Sequence, residues 1–168
     1  MEAAEILPAT AEPACRDNGS DGVVHVTGDV IDPLSISVAD LRRHASVTAE
    51  PFELRCFRTH RFIRAVDRYR GVRLTDLISR AGLRCEQPGD FKRMVFLAVG
   101  QDGYAVTFSW HELFNTAVGE QVIVACECGG RPLDAVDGAP VLFSGADLFA
   151  APRHVNRLAR VIARVLAP

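Results

Sequence analysis

The chain has 168 residues, 48% of them apolar and 7% aromatic, with a formal charge of -2, which describes a soluble globular protein of one domain, long enough to bury a sizeable core. Its longest apolar runs fall far short of a membrane span. Its acidic start, Met-Glu-Ala-Ala-Glu, has neither the basic nor the apolar region of a secretion signal, so cytoplasmic placement is expected. A single lysine, Lys92, a pI of 6.2 and the lack of any nucleic-acid motif argue against a DNA or RNA partner.

Residues 1–21 mix Ala, Glu, Pro, Asp, Asn, Gly and Ser without an apolar period and are expected to form a tail, leaving residues 22–168 for the domain. Val23-Val-His25-Val-Thr-Gly-Asp-Val30 alternates like a strand. Ser37 with Asp40 three residues on predicts the start of a short helix to His44; His25 and His44 read as edge or surface residues without a role. A strand through Phe52, Leu54 and Cys56 runs into a loop of basic and aromatic residues. Leu74, Leu77, Ile78 and Ala81 then have helical spacing, stopped by Gly82. Met94-Val-Phe-Leu-Ala-Val99, a turn at Gly100-Gln-Asp102-Gly103 and an alternating return from Tyr104 to Ser109 predict a hairpin, followed by a short helix through Trp110, Leu113 and Phe114. Gln121-Val-Ile-Val-Ala-Cys126-Glu-Cys128 reads as a strand ended by Gly129-Gly130, and 138–145 as an extended, glycine-punctuated segment. Val155, Leu158, Ala159, Ile162, Ala163 and Leu166 recur at helical spacing near the C-terminus.

The chemistry concentrates at Phe52-Glu-Leu-Arg-Cys56-Phe-Arg58-Thr-His60-Arg61. Between Arg55 and Arg73 the arginines are offset by a single acid, Asp67. Cations favour thiolate over thiol, so a partly exposed Cys56 beside Arg55, Arg58 and Arg61 should have a lowered pKa and suit a soft metal. Pattern alone favours an ordinary buried cysteine beside a solvated basic face, since free cysteine is among the most buried residue types. A Cys56–His60 nucleophilic pair is a further enzymatic reading, although such partners normally come from separate elements. Five cysteines, Cys15, Cys56, Cys85, Cys126 and Cys128, are an odd number at irregular spacings and do not form a disulfide framework. Cys126 and Cys128, two residues apart on a strand, should share one face and pack inward; no second ligand pair accompanies them for zinc. Gly-rich phosphate loops, a Gly-x-Ser-x-Gly elbow and a His-Glu-x-x-His motif are all missing.

Val26-Thr-Gly28-Asp-Val30-Ile-Asp-Pro33-Leu, Leu54-Arg-Cys56, Arg70-Gly71-Val72-Arg-Leu74-Thr-Asp76-Leu77-Ile-Ser-Arg-Ala81-Gly82 and Val124-Ala-Cys-Glu-Cys-Gly129-Gly130-Arg-Pro132-Leu133 together resemble the sulfite-oxidase type molybdopterin-binding domain. The resemblance covers residue 23 to the C-terminus and implies a mixed-sheet α+β fold in which part of the C-terminal run is a strand. It implies binding of molybdenum cofactor and oxygen-atom transfer, with Cys56 as the metal ligand, Arg58, His60, Arg61, Arg153 and Arg157 gripping the cofactor's phosphate and pterin edge, and Tyr104 on the substrate side. A small-molecule substrate and an electron-transfer partner follow from it. The sulfur is then expected at the rim of a cationic cavity large enough for a pterin. Where the family carries Gly-Gly-Pro-x-Arg and a lysine-rich phosphate segment, this chain has Gly138-Ala-Pro140-Val-Leu and Arg153-His-Val-Asn-Arg157. The alternative is a binding or interaction module that keeps the fold without the cofactor.

Overall fold

A computed structural model describes residues 22–168; the expected tail at 1–21, with Cys15, lies outside the described residues. The strands are β1 (Val23–Gly28), β2 (Leu34–Ser37), β3 (Val47–Thr48), β4 (Phe52–Arg55), β5 (Phe62–Val66), β6 (Tyr69–Arg73), β7 (Met94–Gly100), β8 (Ala105–Ser109), β9 (Val122–Cys128), β10 (Arg131–Pro132), β11 (Val141–Ser144) and β12 (Leu158–Val165). The α-helices are α1 (Val38–His44), α2 (Leu74–Ala81) and α3 (Trp110–Phe114). None of them is long and apolar enough to cross a membrane.

Three layers of strands result. The first sheet runs β2-β1-β12-β7-β8, with β1 and β12 parallel and the remaining pairs antiparallel. The second runs β10-β9-β6-β3, with β11 sharing an edge of β9 with β10. Between these sheets lies the main core, where Leu74, Leu77 and Ile78 of α2 meet Val24, Val161 and Phe96 on one side and Val72, Val124 and Leu142 on the other. β4 and β5 form a separate two-stranded hairpin. Its Leu54 and Val66 close a second cluster, with Tyr69, Ile123, Ala125 and Phe143, on the opposite face of the second sheet.

Local chemistry sets the helix ends. Ser37 Oγ accepts the Asp40 N–H at the start of α1, and Ser109 with Glu112 forms a reciprocal capping box on α3. Gly82, with φ of 68°, ends α2 in a conformation that a side chain disfavours.

Three expectations change. The basic loop after Cys56 is largely strand, β5 and β6, because arginines on exposed strand faces conceal the alternation. The helical spacing of the C-terminal run gives way to the strand that the resemblance implied: a register shift between Leu158 and Arg160 puts Leu158, Val161 and Ala163 on the buried side, and that extra residue imitates an i, i+3 spacing. Cys126 and Cys128 do not share a face. In the β6–β9 ladder Arg70 opposes Glu127 while Gly71 opposes Ala125, so Cys126 is a bulged residue. Cys126 enters the core between the sheets, and Cys128 packs against the second cluster.

Candidate functional site

Cys56 stands immediately after β4, at the tip of the β4–β5 hairpin. Its N–H donates to the Arg61 carbonyl at 2.9 Å and its carbonyl accepts the His60 N–H at 2.7 Å. Closing so short a loop requires one residue in the left-handed region; His60 takes it, with φ of 57°. Arg55 stitches the base of the tip, donating to Glu53 at 2.6 and 2.9 Å and to the His60 carbonyl at 3.2 Å.

The half-buried Cys56 thiol is acidified. The Thr59 hydroxyl is the largest cause and the Thr59 and Arg58 N–H groups follow; burial opposes them, and the Arg61 charge adds the smallest contribution. Arg58, His60 and Arg61 are exposed on the same tip, and among the described residues Arg58 and Arg61 have no carboxylate within 4.0 Å. The His60 ring lies 4.8 Å from that of Phe149, and Phe57 meets the same ring edge-on at 5.8 Å, so the tip leans on the segment before Arg153.

The three C-terminal-side candidates have other partners. Arg153 donates to Asp147 at 2.5 and 2.8 Å and to Glu112 at 3.0 Å, and lies 4.4 Å above the Phe108 ring. Its charge is therefore matched within the fold, and Asp147 holds it firmly protonated. Arg157, in the left-handed region with φ of 50°, donates to the Ala135 carbonyl at 3.2 and 3.3 Å. Tyr104, 46% exposed, donates its hydroxyl to the Pro152 carbonyl.

A polar pair that periodicity did not single out sits behind the hairpin. The Tyr69 hydroxyl and His154 Nε2 are 3.0 Å apart. Burial, helped by the nearby Arg64 charge, pushes the His154 pKa down to about 4, so the ring is neutral at pH 7. Burial likewise raises Tyr69. Tyr69 stands in the Tyr-Arg-Gly-Val stretch and His154 next to Arg153, the sequence signals that could have drawn attention to them.

A cavity of about 680 Å³ opens beside β3 and β4, walled by Val47, Phe52, Ile123 and Phe143. Its other lining residues include Glu50, Glu53, Glu120 and Asp147 against the single cation Arg73, and Cys56 is not among them. This cavity is thus acid-rimmed, where a cationic one was expected. Among the described residues no three His, Cys, Asp or Glu side chains converge on a common point.

Tested against a molybdenum–pterin group, the two ends of the proposed site differ. The tip fits: an acidified thiol with unpaired guanidinium groups matches a soft metal and an anionic ligand. The C-terminal segment does not supply a free phosphate grip at Arg153, whose fork is filled by carboxylates.

The model of the oxidoreductase molybdopterin binding domain matches residues 16–151. Among solved structures, the crystal structure of the sulfane dehydrogenase SoxCD from Paracoccus pantotrophus is similar in fold, with a TM-score of 0.63 and 18% identity over 87% of this chain. The chain spans 39% of the length of that SoxCD chain. No curated protein matches the sequence. The family match takes in most of the chain, with the second sheet, the Cys56 hairpin and every strand of the first sheet except β12, and the protein belongs to the oxidoreductase molybdopterin-binding domain family of sulfite-oxidase type.

Proposed function

We propose that the chain binds a molybdopterin-type cofactor and serves an oxidoreductase, with Cys56 as the protein's thiolate ligand to the metal. The observation that carries this reading is the acidified Cys56 sulfur on a tip whose Arg58 and Arg61 have no acidic partner among the described residues. Bound there, the group would supply two-electron, oxygen-atom-transfer chemistry. The chain's own contribution is to hold the sulfur as thiolate through Thr59, to offer Arg58, Arg61 and the His60 ring to the cofactor's anionic and polar edges, and to fix the tip through Arg55. Arg157 remains exposed and is the better C-terminal phosphate donor; Arg153 would have to leave two carboxylates first. Tyr104 is the residue proposed for the substrate side, with a small molecule as substrate and a separate electron-transfer partner.

A second reading, a cofactor-free module, is favoured by the filled Arg153 fork and the acid-rimmed cavity. Elemental analysis separates them. Protein purified from a cofactor-producing host should carry close to one molybdenum per chain, and Cys56→Ser should carry none. Absence of molybdenum from both proteins would leave the module as the answer.

A further inference from the structure

We propose that the outer edge of β5 docks an acidic, extended segment of a partner protein, which adds to the β4–β5 hairpin as a third strand. β4 and β5 pair only with each other among the described residues. Two-stranded ribbons are marginal alone, and a third strand is the ordinary way to complete one. Four of the five β5 residues are exposed, and only Val66 turns inward. Edge strands are normally defended by charge or by short length, yet this one carries Phe62 at 49% and Ile63 at 53% exposure. Leu54 pairs with Arg64 and Arg55 with Phe62, so Ile63 is a bulged residue with no Cα partner on β4.

Charge selects the occupant. Arg61 and Arg64 bracket the apolar pair, and neither has a carboxylate within 4.0 Å among the described residues; Arg64, opposite Leu54, also lies near Tyr69 and His154. A second copy adding its own β5 would set these arginines against one another, whereas a strand alternating acidic and aliphatic residues would pair with them and cover Phe62 and Ile63. A long polyanion such as nucleic acid would also have to pass the acids that rim the neighbouring cavity. The proposal shares Arg61 with the cofactor reading but does not rest on it, and its readout requires no metal.

The probe is a capped seven-residue peptide, Glu-Ile-Asp-Val-Glu-Ile-Asp, titrated into the isotope-labelled full chain and followed by amide chemical shifts. Shifts concentrated on residues 61–66 are expected. Methylating alternate peptide nitrogens, which leaves the protein untouched, should weaken binding at least about tenfold by removing ladder donors. Arg61→Glu should do the same. Ile63→Lys should also weaken binding although it adds a positive charge, which separates strand addition from plain attraction. The proposal is overturned if Ile63→Lys binds as well as the parent, or if the shifts spread to Arg160 and Arg164. Tighter binding of a single-stranded oligonucleotide to the same amides, or shifts that depend on protein concentration, would equally overturn it. So would hairpin amides that become free only when Glu2, Glu5, Glu12, Asp17 and Asp21 are neutralised, because the occupant would then be this chain's own N-terminal segment.

Discussion

At the level of single residues, the four described cysteines are separated by surroundings rather than by sequence context. Cys56 is acidified mainly by one hydroxyl, that of Thr59, while burial and the neighbouring Glu127 push Cys126 up to about 11. The thiolate is the reactive form, so Cys56 should be alkylated by iodoacetamide at neutral pH while Cys126 stays inert. Thr59→Ala removes the largest contribution and should move the pH profile of Cys56 alkylation upward, read by peptide mapping. A profile unchanged in that variant would mean that the backbone N–H groups of the tip and the Arg61 charge, not the hydroxyl, set the thiol. Arg153 is the second informative residue. It is 21% exposed and opposes Asp147 at 16%, so removing it strands a partly buried carboxylate. Arg153→Met should cost about 2 kcal/mol in denaturant unfolding, below the range for fully buried pairs because both groups keep some solvent. A cofactor grip without a structural role would instead leave stability unchanged and lower only the molybdenum content.

Among the elements, the β6–β9 ladder and the loop around α3 decide how the site is framed. Plain alternation lets β9 serve both cores, Val122 and Val124 in the main one and Ile123 and Ala125 in the second, and the bulge at Cys126 then turns Cys128 to the hairpin side. Opposite it, a Cβ at Gly71 would fall 2.0 Å from the Val124 carbonyl oxygen. Gly71→Ala must therefore spread the two central strands, and a loss of about 3 kcal/mol or more is expected in urea denaturation. If Gly71→Ala unfolds at the parent's midpoint, the close approach is not real. Glu112 links two devices: one carboxylate oxygen accepts the Ser109 N–H of the capping box and the other accepts from Arg153. The α3 cap and the segment leading to His154 are thereby joined through a single side chain.

For the molecule as a whole, acid stability should show two separate windows. His154 has a folded-state pKa lowered to about 4 from 6.5, so the unfolded chain takes up its proton first. Stability from this group is complete above pH 6.5 and falls as pH drops toward 4, by about 3 kcal/mol in all. Asp147 is also lowered, although its burial opposes the Arg153 and Ser144 hydrogen bonds that lower it; Asp90 and Asp134 are lowered chiefly by backbone N–H groups. These carboxylates contribute stability that is present above their ordinary value of 3.8 and lost below it. His154→Gln keeps a partner for Tyr69 but cannot titrate. Its thermal midpoint should change little between pH 6.5 and 4, with the carboxylate window below left intact. A parent-like decline in that variant would assign the upper window to another group.

Local spacing was enough to predict β1, α1 with its Ser37 cap, α2 with its Gly82 stop, the β7–β8 hairpin and β9, because two- and 3.6-residue periods and glycine stops are properties of short segments. The motif around Cys56 and the Arg-Gly-Val-x-Leu run were likewise readable, and with them the family. Long-range pairing settled the rest. β12 lies between β1 and β7, and its register shift imitates a helix when seen without those neighbours. The opposite orientations of Cys126 and Cys128 depend on a bulge that exists only because β6 lies alongside. Arg153 resembles a phosphate grip until Asp147 and Glu112, six and forty-one residues away, are brought to its guanidinium. Periodicity encodes which face of a segment is apolar; it cannot encode which distant charge or strand will arrive there, since that depends on how the whole chain closes its backbone hydrogen bonds.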